Sequence, residues 1–175
     1  MPTTYLLDTS VISGLVNTSS THHMKAMAFR SSVGSEDKVL ICVVSLGEMQ
    51  FGRDLMHSRL PPPTPARMAE VDAHLAAAQR LGAEVLEVTK HVTKEYGTLR
   101  ALFARGVMPH GLDKRVKGIP PELWYQATTA ATLKVTENDL WIAAVAIAHD
   151  LTLVHRDRDF TTIGQHAKAL RVLLL

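Results

Sequence analysis

Short apolar runs alternating with helical patterns set the tightest limit on what this chain can fold into. The runs are Tyr5–Leu7, Val39–Val44, Glu84–Val88, Leu151–His155 and Leu170–Leu174. Leu6 and Leu7 are both apolar, as expected of a strand covered on both faces. Ser45, with Glu48 three residues later, reads as a capping box opening a helix through about Met56. Thr64 before Pro65 reads as an N-cap with proline at the first helical position, and Gly82 as a C-cap, giving a helix over about 65–81. Thr89 would cap a helix through about Ala104, and another is expected over Glu122–Leu133. Thr136 opens the last long helix, which is apolar nearly all round after Trp141 and so suits a place between layers. Alternation of this kind specifies an α/β domain around a mostly parallel sheet of about five strands.

The 175 residues fit one domain over 1–175. LPPPTP at 60–65 is a stiff connector, too near the N-terminus to divide two domains. The stretch from Arg105 to Pro121 reads as a loop, within a long helical and loop middle segment at about 57–121.

Lys and Arg total 19 against 17 Asp and Glu, a formal charge of +2. That balance excludes a polybasic binder acting by bulk charge but leaves a local patch open. Arg105, Lys114, Arg115 and Lys117 form such a group, readable as phosphate contacts or as a solvated loop. Cys42 is the only cysteine. An internal disulfide and a Cys-based zinc site are therefore excluded. No apolar stretch approaches the roughly 18 residues that span a bilayer. The N-terminus has no basic region and meets Asp8 early, unlike a signal peptide. The expectation is a cytoplasmic protein without membrane association.

Carboxylates recur where a parallel sheet forms its ligand crevice, just beyond strand ends. Asp8 follows the first run, Glu48 the second, and Asp157 and Asp159 the fourth. Asp139 lies in the first turn of the helix leading into the fourth. Gathered acids repel one another, and a divalent cation between them relieves this. Oxygen donors alone suit Mg²⁺ or Mn²⁺, ions that support phosphodiester hydrolysis. Each acid also has a local explanation. Glu48 completes the Ser45 box, Asp139 suits a helix dipole, Asp8 can cap the first helix, and Asp157 and Asp159 can pair with Arg156 and Arg158.

The set LLDTS, VSLGEMQFG, ENDLWIAAVAIAHD and LTLVHRDRDF resembles the PIN-domain family, and more narrowly its VapC-like toxins of type II toxin–antitoxin pairs. The resemblance implies a Rossmann-like three-layer sandwich and a ribonuclease using one or two Mg²⁺ or Mn²⁺ ions. Its acidic positions fall on Asp8, Glu48, Asp139 and Asp157, with Asp159 a fifth contributor. Ser10 matches a hydroxyl that holds metal-bound water, and Asn138 a polar residue that orients the third acid. His155 stands where the family often has Thr or Ser, and reads as a satisfied strand-end histidine. Arg156 and Arg158 flank the acids, as RNA contacts or as partners of carboxylates. The implied partners are RNA, an antitoxin and a second copy of the chain. The antitoxin would lay an apolar helix near residues such as Val11, Ile12, Leu15, Met24 and Met27, which otherwise read as core.

A haloacid-dehalogenase-type phosphatase needs a second Asp two residues after the first, where this chain has Ser10. A stand-alone RNA-processing nuclease and a non-catalytic PIN-like binding module remain as alternatives. The four matched acids count against the second of these.

Overall fold

A computed structural model describes residues 2–81, 84–107, 117–120 and 135–175. Its elements, in chain order, are β1 (Thr4–Leu7), α1 (Thr9–Val16), α2 (His23–Ser32), β2 (Lys38–Cys42), α3 (Val43–Leu55), α4 (Pro65–Ala78), β3 (Val85–Leu86), α5 (Lys90–Val107), α6 (Glu137–Ala148), β4 (Thr152–His155), α7 (Arg158–His166) and β5 (Arg171–Leu174). The five strands form one sheet in the order β3-β2-β1-β4-β5. Every pairing is parallel, with Leu6 in register with Leu40 on one side and Leu153 on the other. The chain fills one side of β1, then returns to fill the other. Strand order therefore reverses between β1 and β4, and a crevice opens there beyond the carboxyl ends.

Successive strand residues point to opposite faces, so adjacent apolar residues feed two cores. Leu6, Leu40 and Leu153 pack with residues of α5, α6 and α7, such as Leu99, Ile142 and Phe160. Leu7, Ile41 and Val154 pack with residues of α1, α2 and α4, such as Ile12, Phe29 and Ala78. The result is the expected three-layer sandwich. Helix α6 is its most enclosed helix: Leu140 and every residue from Ile142 to Ala146 are fully buried. Trp141 instead stacks on Tyr96 of α5, ring centroids 3.7 Å apart. Gly14 lets α1 close on α2, since a Cβ there would stand 3.2 Å from that of Ala26.

Several boundaries differ from the sequence reading. The second strand stops at Cys42, and Val43 and Val44 begin α3 without a loop. Ser45 is thus the third helical residue, not the cap. It is fully buried, its hydroxyl 3.5 Å from the Cys42 thiol. Val44 packs against the core from its helical position, whereas Val43 is exposed. Thr64 does cap α4, accepting from the Arg67 amide at 3.2 Å, but that helix ends at Ala78. Helix α5 runs to Val107, which puts Arg105 on a helical turn rather than in a loop. Helix α7 was not anticipated; Phe160 and Ile163, one turn apart, are its buried face. Val11, Ile12 and Leu15 are core residues, whereas Met24 and Met27 are exposed. The expected Gly82 cap, the helix over Glu122–Leu133, Lys114 and Arg115 lie outside the described residues.

Phe160 is the bulkiest fully buried side chain among the described residues. Phe160→Ala is expected to cost about 3–5 kcal/mol through lost burial and a residual cavity. A thermal melt followed by circular dichroism should show Tm lower by roughly 10 °C.

Candidate active site

Five carboxylates, those of Asp8, Glu48, Asp139, Asp157 and Asp159, line one cleft of about 460 Å³ at the carboxyl end of the sheet. Hydroxyls of Thr9, Ser10, Ser13 and Thr136 share its wall. All the acids singled out from the sequence therefore face one cleft, although they come from distant parts of the chain.

Asp8 continues the sheet, its amide donating to Val154 O at 3.0 Å. It also caps α1. One carboxylate oxygen accepts from the Ser10 amide at 3.1 Å and the Ser10 hydroxyl at 2.5 Å. Only 4% of Asp8 is exposed. Burial pushes its pKa up to about 6, against the opposing bonds from Ser10 and with a smaller push from Asp157.

Asp139 belongs to a true capping box at the start of α6. Its carboxylate accepts from the Thr136 amide at 2.6 Å and hydroxyl at 2.9 Å, while its own amide donates to that hydroxyl at 3.2 Å. Burial lifts its pKa to about 7; the Thr136 bonds oppose this, and the charges of Asp8 and Glu48 add to it. Capping and gathering are thus compatible: the box fixes one oxygen while the side chain still feels the other acids.

Glu48 sits in the middle of α3, freed from the cap role by the early start of that helix. One of its oxygens accepts from the Thr9 hydroxyl, the other from Asn138 Nδ2 at 2.9 Å. Asn138, expected to orient Asp139, instead reaches across to Glu48. Thr9 was missed in the sequence. Its signal was the hydroxyl pair directly after Asp8.

Asp157 stands at the start of α7, exposed, with no capping bond from its side chain. Asp159 follows in the first turn. Fully buried His155 aims Nδ1 at the Asp157 carbonyl, 2.7 Å away. A carbonyl only accepts, so Nδ1 carries the proton. Nε2 is then left without a partner among the described residues. The strand-end histidine is half satisfied rather than fully so. Burial lowers its pKa from the ordinary value, which keeps the ring neutral.

The basic residues divide. Arg156 donates to Ser10 O at 3.3 Å and so ties the end of β4 to α1. Arg158, Arg105 and Lys117 are exposed and do not line the acid cleft. The sequence reading missed a second cleft, of about 320 Å³, that shares Thr9, Ser13 and Glu48 with the first and runs between α1, α3 and α4. Arg53 and Arg67 on its wall are paired, Arg53 with Asp54 and Asp72 at 2.9 and 2.8 Å, Arg67 with Glu70 at 2.6 Å.

A hard divalent cation fits this donor set. The donors are all oxygens, and the carboxyls of buried Asp8 and half-buried Asp139 are pushed toward the protonated form by desolvation and by neighbouring acids, a strain that a cation relieves. Among the described residues no three acid, histidine or cysteine side chains close into a ready-made cage. An ion would accordingly be held in part through water, as Mg²⁺ commonly is.

No curated protein matches the sequence. Among solved structures, the fold is similar to VapBC2 from Rickettsia felis bound to a DNA fragment from its promoter. That match covers 98% of each chain at 19% identity with a TM-score of 0.60. VapBC-5 from Mycobacterium tuberculosis, a member of the VapBC family of toxin–antitoxin systems, is 21% identical over 99% of this chain and 100% of its own, with a TM-score of 0.60. VapC20 of the same organism, described as a toxin that cleaves the sarcin–ricin loop, is 18% identical over 91% and 95%, with a TM-score of 0.53. A family model for the PIN domain matches residues 5–165, nearly the whole chain, and the chain belongs to that family.

Proposed function

We propose that the protein is a Mg²⁺- or Mn²⁺-dependent endoribonuclease, the toxin of a type II toxin–antitoxin pair. The observation that carries this reading is the convergence of five carboxylates in one cleft at the strand-order reversal. Membership of the PIN family and the likeness to toxin structures support it. VapC20, the sarcin–ricin loop toxin, favours RNA as the substrate class.

In this reading Asp8, Glu48, Asp139 and Asp157 hold one or two ions, with Asp159 as a further contributor. A bound divalent cation supplies positive charge to a phosphodiester and acidifies a water. The chain itself does the positioning. Ser10 and Thr136 fix one oxygen each of Asp8 and Asp139, which leaves the other turned free of those bonds. Arg156 braces the wall that carries Asp157 against the helix that follows Asp8. Arg158, Arg105 and Lys117, with Lys114 and Arg115, are the proposed backbone contacts for RNA. Val16, Met49, Met56, Val71 and Leu75 line the neighbouring cleft and offer an apolar seat for an antitoxin segment. A second copy of the chain and a cytoplasmic location belong to the same proposal.

Purified protein should cleave RNA with Mg²⁺ or Mn²⁺ and stop when EDTA removes the ion. Cleavage that continues undiminished in EDTA would sink the metal-dependent reading. Co-expression with the small neighbouring open reading frame should restore growth and yield a complex; neither result appearing would count against the toxin assignment.

A further inference from the structure

The carboxylates of the cleft are aimed in two different ways. Asp8 is held by Ser10, two residues along, and Asp139 by Thr136, three residues back. Both orientations are set as soon as the local helix end forms. Glu48 has no such local support. It lies in the middle of α3, and its two oxygens are held from elsewhere: by Thr9 at the start of α1, 39 residues away in sequence, and by Asn138 at the start of α6, 90 residues away. Its aim is therefore a property of the assembled fold.

The chemistry of the two donors is pointed. A lysine or arginine in either place would fix Glu48 equally well but cancel its charge. A hydroxyl and an amide orient the carboxylate and leave its full negative charge facing the cleft. Resting on the cation reading above, we infer that Thr9 and Asn138 are positioning residues that set how tightly the cleft holds a divalent cation, acting through Glu48. Without them the flexible Glu48 side chain must be immobilised when the ion binds, which weakens the site. Partners that orient a ligand typically contribute ten- to a hundredfold to metal affinity.

The test uses Mn²⁺ and the full chain, with binding followed by electron paramagnetic resonance of free Mn²⁺ and folding by thermal melts. Thr9→Val keeps the shape and removes the hydroxyl; Thr9→Ser keeps the hydroxyl. Thr9→Val and Asn138→Ala should each weaken Mn²⁺ binding by roughly tenfold, with little change in Tm. Thr9→Ser should restore it. In a Glu48→Ala background, Thr9→Val should have no further effect, because the group it acts through is gone. Wild-type Mn²⁺ affinity in both single variants overturns the inference, as does a Thr9→Val effect of full size without Glu48. If the unaltered chain binds no Mn²⁺, the cation reading falls as well; if it binds and the variants match it, only this inference falls.

Discussion

Asp8→Asn is expected to abolish RNA cleavage while leaving the fold intact and slightly more heat-resistant. The two effects have one cause. Asn is as good an N-cap as Asp, and its carbonyl oxygen can still accept from Ser10. What the substitution removes is a negative charge on a residue only 4% exposed. Losing a cation ligand should cost more than the ten- to hundredfold that an orienting partner costs, so a fall beyond about 100-fold is expected. Removing a buried charge that repels its neighbours should raise Tm of the metal-free protein by a few degrees at pH 8. Asp139→Asn should lose activity likewise. Lost cleavage together with a marked fall in Tm would show that Asp8 acts mainly as a structural cap. Cleavage unchanged in both variants would remove the site assignment.

Stability of the metal-free protein should decrease as pH rises from about 4 to 7. Asp8 and Asp139 ionise at about 6 and about 7 in the folded chain, against 3.8 for an unperturbed Asp. Across that window the folded state binds more protons than the unfolded state. Stability that both groups contribute in their protonated form is thus present at low pH and lost as the folded pKa values are passed. For Asp8 alone the effect is on the order of 3 kcal/mol, a Tm change of roughly 5–10 °C. Mn²⁺ should reverse the trend, because the ion binds ionised carboxylates and stabilises only the folded chain. Its effect on Tm should be small at pH 5 and large at pH 8. Melts in EDTA and in Mn²⁺ across this range give the answer. A metal-free Tm that is flat or rising from pH 5 to 8 would contradict the raised pKa values of Asp8 and Asp139.

Where the sequence was readable, the signal was local and repeated. Leu6 and Leu7 announce a strand buried on both faces, and Thr64-Pro65 and Thr136 announce helix starts that the structure keeps. The acids were readable because the parallel-sheet rule says where to look, beyond strand ends. What escaped was decided by contacts between distant residues. Ser45 looks like a cap because serine usually is one, yet the chain turns into α3 three residues earlier and buries it. Asn138 stands beside Asp139 in sequence but donates to Glu48 on another helix. No spacing rule carries that information. Helix α7 was hidden because its charged start, RDRDF, resembles a turn until Phe160 and Ile163 are seen to face the same core.

The strand order also says when such a site can exist in a growing chain. A ribosome releases β1 first, and β2 and β3 can cover only one of its edges. The other edge waits for β4, and with it for Asp157. The bond between Arg156 and Ser10 that closes this seam joins residues 146 positions apart. A nascent chain therefore carries Asp8 and Glu48 long before the opposite wall of the cleft is translated. Any activity that needs both walls must wait until β4 has emerged.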